Sequence, residues 1–246
     1  MQTIILKYLI PITAGLFFSG TVWGQTLKIT RISDNCYVYT TYKPFKNTLI
    51  SANGLYLVTE NGVILFDTPW DETQFQPLLD SIQSKHGKKV LMCISTHSHD
   101  DRAAGLGYYR EQGIPTYTTS QTDSILKKLG EPRAEHILYS DTTFHIGNYT
   151  FETHFPGHGH TGDNIVIWIE ELRLLYGGCF VKSVEAIDLG YVADANLPSW
   201  EMAIRKTMKR YNHPDFIITG HQDWTDKRSL KHTLKLLKKA NRKPTP

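Results

Sequence analysis

"VLMCISTHSHDDRAAG", residues 90–105, is where the fold class is decided. Val90 to Ile94 form a short unbroken apolar run, the pattern of a strand covered on both faces. Just beyond it stand His97, His99 and Asp101, each two positions from the last. Strand-like spacing puts the two histidines on one side, and a turn into a helix swings Asp101 beneath them. From Asp100 onward "DDRAAGLGYYREQG" reads as that helix, with acidic residues at its N-terminus. Open α/β sheets place their sites outside the carboxyl ends of strands, so a buried strand ending in metal-capable side chains points to a site there.

On either side the pattern alternates. "TLKITRI", "CYVYTTY" and "LYLVTENGVILFDTP" are β-rich, and Asn61-Gly62 between apolar residues signals a hairpin. "DETQFQPLLDSIQSKHG" has helical spacing, with Asp71 as a cap and Gly87 as a stop. Later come a helix over "LPSWEMAIRKTMKRYN", a strand over "DFIITG" and a helix over "TDKRSLKHTLKLLKKAN". Neither linker, repeat nor low-complexity segment interrupts them. This predicts an α/β fold with two sheets facing each other and helices outside.

The chain has 246 residues, 40% hydrophobic and 21% charged, enough for one sizeable core and one domain over residues 25–246. Residues 1–24 have an early Lys7, an apolar stretch from Tyr8 to Phe18 and small residues at Gly20 and Gly24, the layout of a secretory signal peptide. That stretch is short of the roughly 20 residues needed to span a bilayer. With no cysteine just after it to take a lipid, no stable membrane association is expected after signal removal. Such a signal predicts export, which in a bacterium is to the periplasm. Lys7 is the sole charge removed, so the net charge falls from +3 to +2, too little for a nucleic-acid binder. Cys36, Cys93 and Cys179 remain, and an odd count in an oxidising compartment leaves one thiol unpaired or bound to metal.

Several apolar runs end in a ligand type: "VLMCIST" before His97, "YTFETHFPGHG" before His160, "RLLYGG" before Cys179 and "FIITG" before His221. His86, His136, His145, His213 and His232 have no such context and read as polar filler. Spacing alone does not choose between His158 and His160 in "PGHGHTGDN". Imidazole, thiolate and carboxylate suit Zn²⁺, and six candidates allow two ions with three protein ligands each; three ligands and a vacancy mark a catalytic site. A metal-bound Cys179 thiolate accounts for the odd thiol; a buried free cysteine is the alternative.

"THSHDD" followed by Arg102, "GHGHTGDN", "GGCFVK", "LGYVADAN" and "TGHQDW" together resemble the zinc metallo-β-lactamases, in the subclass with a three-histidine site and an Asp-Cys-His site. The resemblance implies an αββα sandwich with two Zn²⁺ at the edge of its mixed sheets. His97, His99 and His160, the histidine before Thr161, would bind one zinc; Asp101, Cys179 and His221 would bind the other. Lys182 would hold the substrate carboxylate, Asn196 would polarise the lactam carbonyl, and Asp101 would also orient the nucleophile. Asn196 can equally cap the helix that follows it. The hairpin "TTYKPFKNT" sits where the family has a loop over the substrate. Thioester-cleaving relatives carry a histidine after the motif aspartate and an aspartate in place of the cysteine, whereas Arg102 and Cys179 stand here. The implied activity is hydrolysis of penicillins, cephalosporins and carbapenems by a metal-activated hydroxide, conferring antibiotic resistance, by a monomer. Zinc lowers the pKa of bound water to about 7, so no serine nucleophile is needed. A thioester or lactone hydrolase of the same fold, and a non-catalytic zinc-binding protein, are the competing readings.

Overall fold

The computed structural model describes residues 27–45 and 47–242; the signal segment read in residues 1–24 lies outside them. One sheet runs in the order β1 (Lys28–Arg31), β2 (Cys36–Phe45), β3 (Thr48–Val58), β4 (Val63–Phe66), β5 (Val90–Ile94), β6 (Thr116–Thr119) and β7 (His136–Leu138). It is antiparallel as far as β4 and parallel from there on. The second contains β8 (Thr142–Ile146), β9 (Tyr149–His154), β10 (Val166–Ile169), β11 (Leu174–Gly178) and β12 (Phe216–Thr219), in the order β12-β11-β10-β9-β8. Only its β11–β12 pair is parallel. Both sheets are therefore mixed. The helices are α1 (Phe75–His86), α2 (Asp100–Ala103), α3 (Leu106–Glu111), α4 (Ser120–Leu129), α5 (Leu197–Arg210) and α6 (Ser229–Asn241).

Alternation of side chains sorts each strand between two layers. In β4, Ile64 and Phe66 join Val38, Leu57, Ile94, Phe151, Ile167 and Ile218 in a core between the sheets. Val63 and Leu65 face the other way and pack with Phe75, Leu78 and Ile82 of α1 and Tyr109 of α3. On the far side Val166, Leu175 and Ile217 meet Trp200 and Ile204 of α5 and Leu230 and Leu237 of α6. Full burial of each such side chain contributes roughly 1.5–3 kcal/mol. The result is the four-layer helix–sheet–sheet–helix sandwich that the sequence led us to expect.

Asn61-Gly62 lie in the turn of the β3–β4 hairpin, as the sequence signalled, in a four-residue connection where the Thr59 hydroxyl accepts from both of their N–H groups. One detail departs from the sequence reading: the helix expected from Asp100 is two helices. It breaks at Gly105, whose N–H donates to the Thr68 hydroxyl instead of continuing the helical ladder.

Candidate metal centre

The carboxyl ends of β5, β11 and β12 and the loop after β9 converge at one edge of the sandwich. His97 and His99 lie just past β5; His99 is the N-cap of α2, and Asp101 is in its first turn. The Ser95 hydroxyl donates to the carbonyls of His97 and Arg102, and Asp163 accepts from the Ser98 N–H, which pins this turn. His160 is held in a loop whose Thr161 N–H donates to the Asn164 side chain.

Cys179 reaches the cluster through a strand irregularity. The β11–β12 register shifts between Tyr176 and Gly178, and Gly178 takes a left-handed φ of 51°. Opposite it, a Cβ on Gly220 would lie 2.7 Å from Cys179 Sγ, so only glycine lets β12 pass close enough to set His221 beside the thiol.

The rings of His97, His99 and His160 stand edge to face, their centres 4.9–5.2 Å apart. Cys179 Sγ is 3.4 Å from Asp101 Oδ2 and 3.3 Å from His221 Nε2, which is itself 3.2 Å from Asp101 Oδ2. The donors interlock: His97, His160 and Cys179, then His97, His99 and Asp101, then Asp101, Cys179 and His221, each fall within 4.8 Å of one another. The six side chains singled out in the sequence as ligands thus form one cluster. His158 is outside it, its Nε2 bonded to the Asp194 carbonyl at 3.0 Å. The histidines read as filler are engaged elsewhere, His86 with Tyr56, His136 against Tyr117, His145 with Thr150 and His232 with Ala186; His213 sits at a positive-φ position.

His97 Nε2 and His160 Nδ1 are buried and make no hydrogen bond, an arrangement that costs about 1–3 kcal/mol per group unless something else satisfies it. Burial, reinforced by His99 at His97 and by Lys182 at His160, holds both imidazoles well below their usual pKa and so neutral. At Asp101 burial works against ionisation, but Arg102 and then His221 outweigh it and hold the carboxyl well below the usual range. Burial would lower His221, yet Cys179 and Asp101 push it up to about 9. Its Nδ1 is 2.6 Å from the Ser51 carbonyl, which leaves Nε2 to face the thiol and carboxylate. Ligands about 2.0–2.3 Å from one tetrahedral ion lie roughly 3.3–3.8 Å apart, close to the separations within the Asp-Cys-His group. Neutral imidazoles, an ionised carboxylate beside a thiol and orphaned nitrogens fit zinc.

Other residues flank the centre, several of them with no role legible from sequence. Arg102, 1% exposed, lies behind it: Nη2 donates to the Asp101 carboxylate and the Gly220 carbonyl at 2.8 Å, and Nη1 to the Asn53 carbonyl and the Tyr176 hydroxyl. Tyr176 in turn donates to buried Asp67 at 2.5 Å. In front, His99 Nε2 is 3.0 Å from Asp194, and the Tyr191 ring is edge-on to His99. The motif "LGYVADAN" marks this loop but does not distinguish Tyr191 and Asp194. Lys182 is half-buried with Nζ 5.4 Å from the centre of Trp200. Asn196 is exposed, and its Oδ1 caps α5 by accepting from the Ser199 N–H. Cys36 and Cys93 are free and buried.

Residues 48–221 match the metallo-beta-lactamase superfamily. Among similar proteins, metallo-beta-lactamase IND-1 of Chryseobacterium indologenes is 42% identical over 97% of this chain and 100% of its own length. The type 2 metallo-beta-lactamase of Elizabethkingia meningoseptica is 40% identical over 97% of this chain and 96% of its own. The crystal structure of metallo-beta-lactamase IND-7 superposes with a TM-score of 0.84 at 40% identity, covering 88% of this chain and 99% of that one. With the donor cluster at the sheet edge and relatives matching along nearly the whole length, this chain belongs to the metallo-β-lactamase superfamily.

Proposed function

We propose that this protein is a zinc-dependent β-lactamase that hydrolyses the lactam amide of penicillins, cephalosporins and carbapenems. One zinc would be held by His97, His99 and His160, the other by Asp101, Cys179 and His221. The observation that carries this reading is the single cluster of six donors, two of its buried imidazole nitrogens lacking any partner, in a chain so similar to named metallo-β-lactamases. When bound, zinc supplies Lewis acidity and a water ionised near neutral pH.

The chain's own groups do the rest. Asp101 Oδ2, kept ionised by Arg102, accepts and orients a proton at the centre. The Lys182 ammonium, resting on Trp200 beside His160, takes the substrate's ring carboxylate and so sets the carbonyl against the donor cluster. Asn196 has its Oδ1 committed to the helix, which leaves only its Nδ2 group to donate to the lactam carbonyl. Asn196→Asp keeps the cap and removes that donor, so it lowers kcat if the amide polarises the carbonyl and leaves kcat alone if it only caps. All six donors come from one chain, which supports action as a monomer, and the secretory-signal layout of residues 1–24 supports a periplasmic place after their removal. No helix among the described residues is long and apolar enough to cross a membrane.

Purified residues 25–246 with added zinc should open a chromogenic cephalosporin, a penicillin and a carbapenem, lose that activity on exhaustive chelation and regain it with zinc. Turnover that survives chelation, or cleavage of thioesters without cleavage of any lactam, would overturn the proposal.

A further inference from the structure

Two similar stacks stand at opposite ends of the donor cluster. On one side Lys182 Nζ lies 5.4 Å from the centre of Trp200, and Trp200 lies 5.7 Å from His160. On the other, Lys43 Nζ lies 5.6 Å from the centre of Trp70, and Trp70 stands edge-on 6.2 Å from His221. An indole face attracts an ammonium and fixes where its charge sits without neutralising it. Neither lysine has a carboxylate partner; among the described residues Lys227 is the lysine that forms an ion pair. Lys43 is half-buried, so it is not a side chain sweeping freely through solvent.

The hairpin that carries Lys43 is tied to the site at two levels. Beside Lys43, the Tyr42 N–H donates to Gln74 Oε1 at 3.2 Å, and Gln74 Nε2 donates to the Tyr42 carbonyl at 2.8 Å. Gln74 ends the short turn that follows Trp70. Nearer the sheet, the Ser51 carbonyl meets His221 Nδ1 and the Ser51 hydroxyl accepts from the Gln222 N–H. Lys43, Trp70 and His221 are therefore held in one frame.

From this geometry we infer that Lys43 is a second anion subsite, and that the favoured substrates are β-lactams bearing a carboxylate on the acyl side chain as well as on the ring. This rests on the reading above, in which Lys182 takes the ring carboxylate. The acyl arm then extends toward the hairpin, where Lys43 meets its charge.

The test compares benzylpenicillin with α-carboxybenzylpenicillin, which differ by that one carboxylate, on the zinc-loaded protein. The ratio of kcat/KM for the carboxylated over the parent compound should fall about fivefold in Lys43→Gln and further in Lys43→Glu, mostly through KM, and Lys43→Arg should restore it. Raising the salt should erode the ratio in the wild type and not in Lys43→Gln. A ratio unmoved by Lys43→Glu would overturn the inference. Should neither penicillin be opened, the lactamase reading fails, and tryptophan-fluorescence titration of the same pair decides this one separately: tighter binding of the dicarboxylate, lost in Lys43→Glu, sustains it, and equal binding overturns it.

Discussion

In the histidine half of the cluster, burial drives His97 and His160 neutral, and a ring nitrogen of each lacks any partner. In the other half, Asp101, Cys179 and His221 lie 3.2–3.4 Å apart and bond to one another. The first half holds a standing desolvation penalty that a cation relieves without displacing a proton. The second has already satisfied itself with protons, and a metal must displace them. The two halves should therefore differ in affinity and in pH dependence, with the Asp-Cys-His side the weaker and more pH-sensitive. That side also depends on what lies behind it. Asp101 and Asp67 are buried carboxylates, and the guanidinium of Arg102 touches both.

The largest effect is expected where that support is removed. Arg102→Met strips the guanidinium from two buried carboxylates, leaving Asp101 with His221 and Asp67 with its Thr96 and Tyr176 donors, and breaking a buried pair from one side costs about 3–5 kcal/mol. Chemical denaturation should show a loss of that size, along with loss of metal from the Asp-Cys-His side. A variant of wild-type stability that still binds two metals would mean that the rear network does not distinguish the halves.

Next comes the thiol. Cys179→Ser replaces a soft thiolate with a poor zinc ligand and should reduce the metal content from two ions to one, leaving the histidine half loaded. Hydrolysis should fall by more than the roughly 10–100-fold typical of losing an outer-shell partner. Elemental analysis and initial rates on the same sample check this; loss of both metals together would mean the halves are one cooperative unit.

The two halves were not equally legible in the sequence. Several of the six candidate donors follow an apolar run, so strand-end placement picks out His97, Cys179 and His221 without any structure. His160 was separated from His158 only by resemblance, because two loop histidines two apart carry no periodicity that chooses between them. Arg102 was noticed as a family mark, but its work is invisible in sequence: its partners Asn53, Asp67, Tyr176 and Gly220 come from separate strands and loops brought together only in the fold. The helix break at Gly105 was missed because it answers a tertiary bond to Thr68. Asn196 shows a local signal with two readings: the same residue type suits a helix cap and a carbonyl donor, and only the coordinates show its Oδ1 already in use.

A smaller effect should appear in the metal-free protein as pH changes. The folded pKa of His221 is pushed up to about 9 from an ordinary value near 6.5, so its protonated form stabilises the fold. That contribution is fully present below 6.5 and fades as the pH rises through about 9. His97 and His160 shift the opposite way, so their penalty falls below 6.5, outside this window. Urea denaturation of metal-free protein should show a loss on the order of 2 kcal/mol between pH 6.5 and 9. With zinc bound that proton is gone, and the His221 loss should be absent. Parallel slopes in the two forms would break the contrast between the halves.

The mildest test sharpens the histidine half. His99 Nε2 meets the Asp194 carboxylate at 3.0 Å, an outer-shell contact that orients the ring and fixes which nitrogen can face a metal. Asp194 differs from Arg102 in being more than half exposed, so water can replace part of what it does. Asp194→Asn keeps the shape and an acceptor oxygen but removes the charge, and should weaken zinc at the histidine half by about tenfold or less, the low end for outer-shell partners. Competition with a chromogenic chelator measures this directly, and the Asp-Cys-His side serves as the internal control. If its affinity drops by the same factor, Asp194 acts through the general field of the site and not through His99. If only the histidine side weakens, the ring contact is what matters, and the two halves can be tuned separately from opposite faces: Arg102 from within the sandwich and Asp194 from the loop above it.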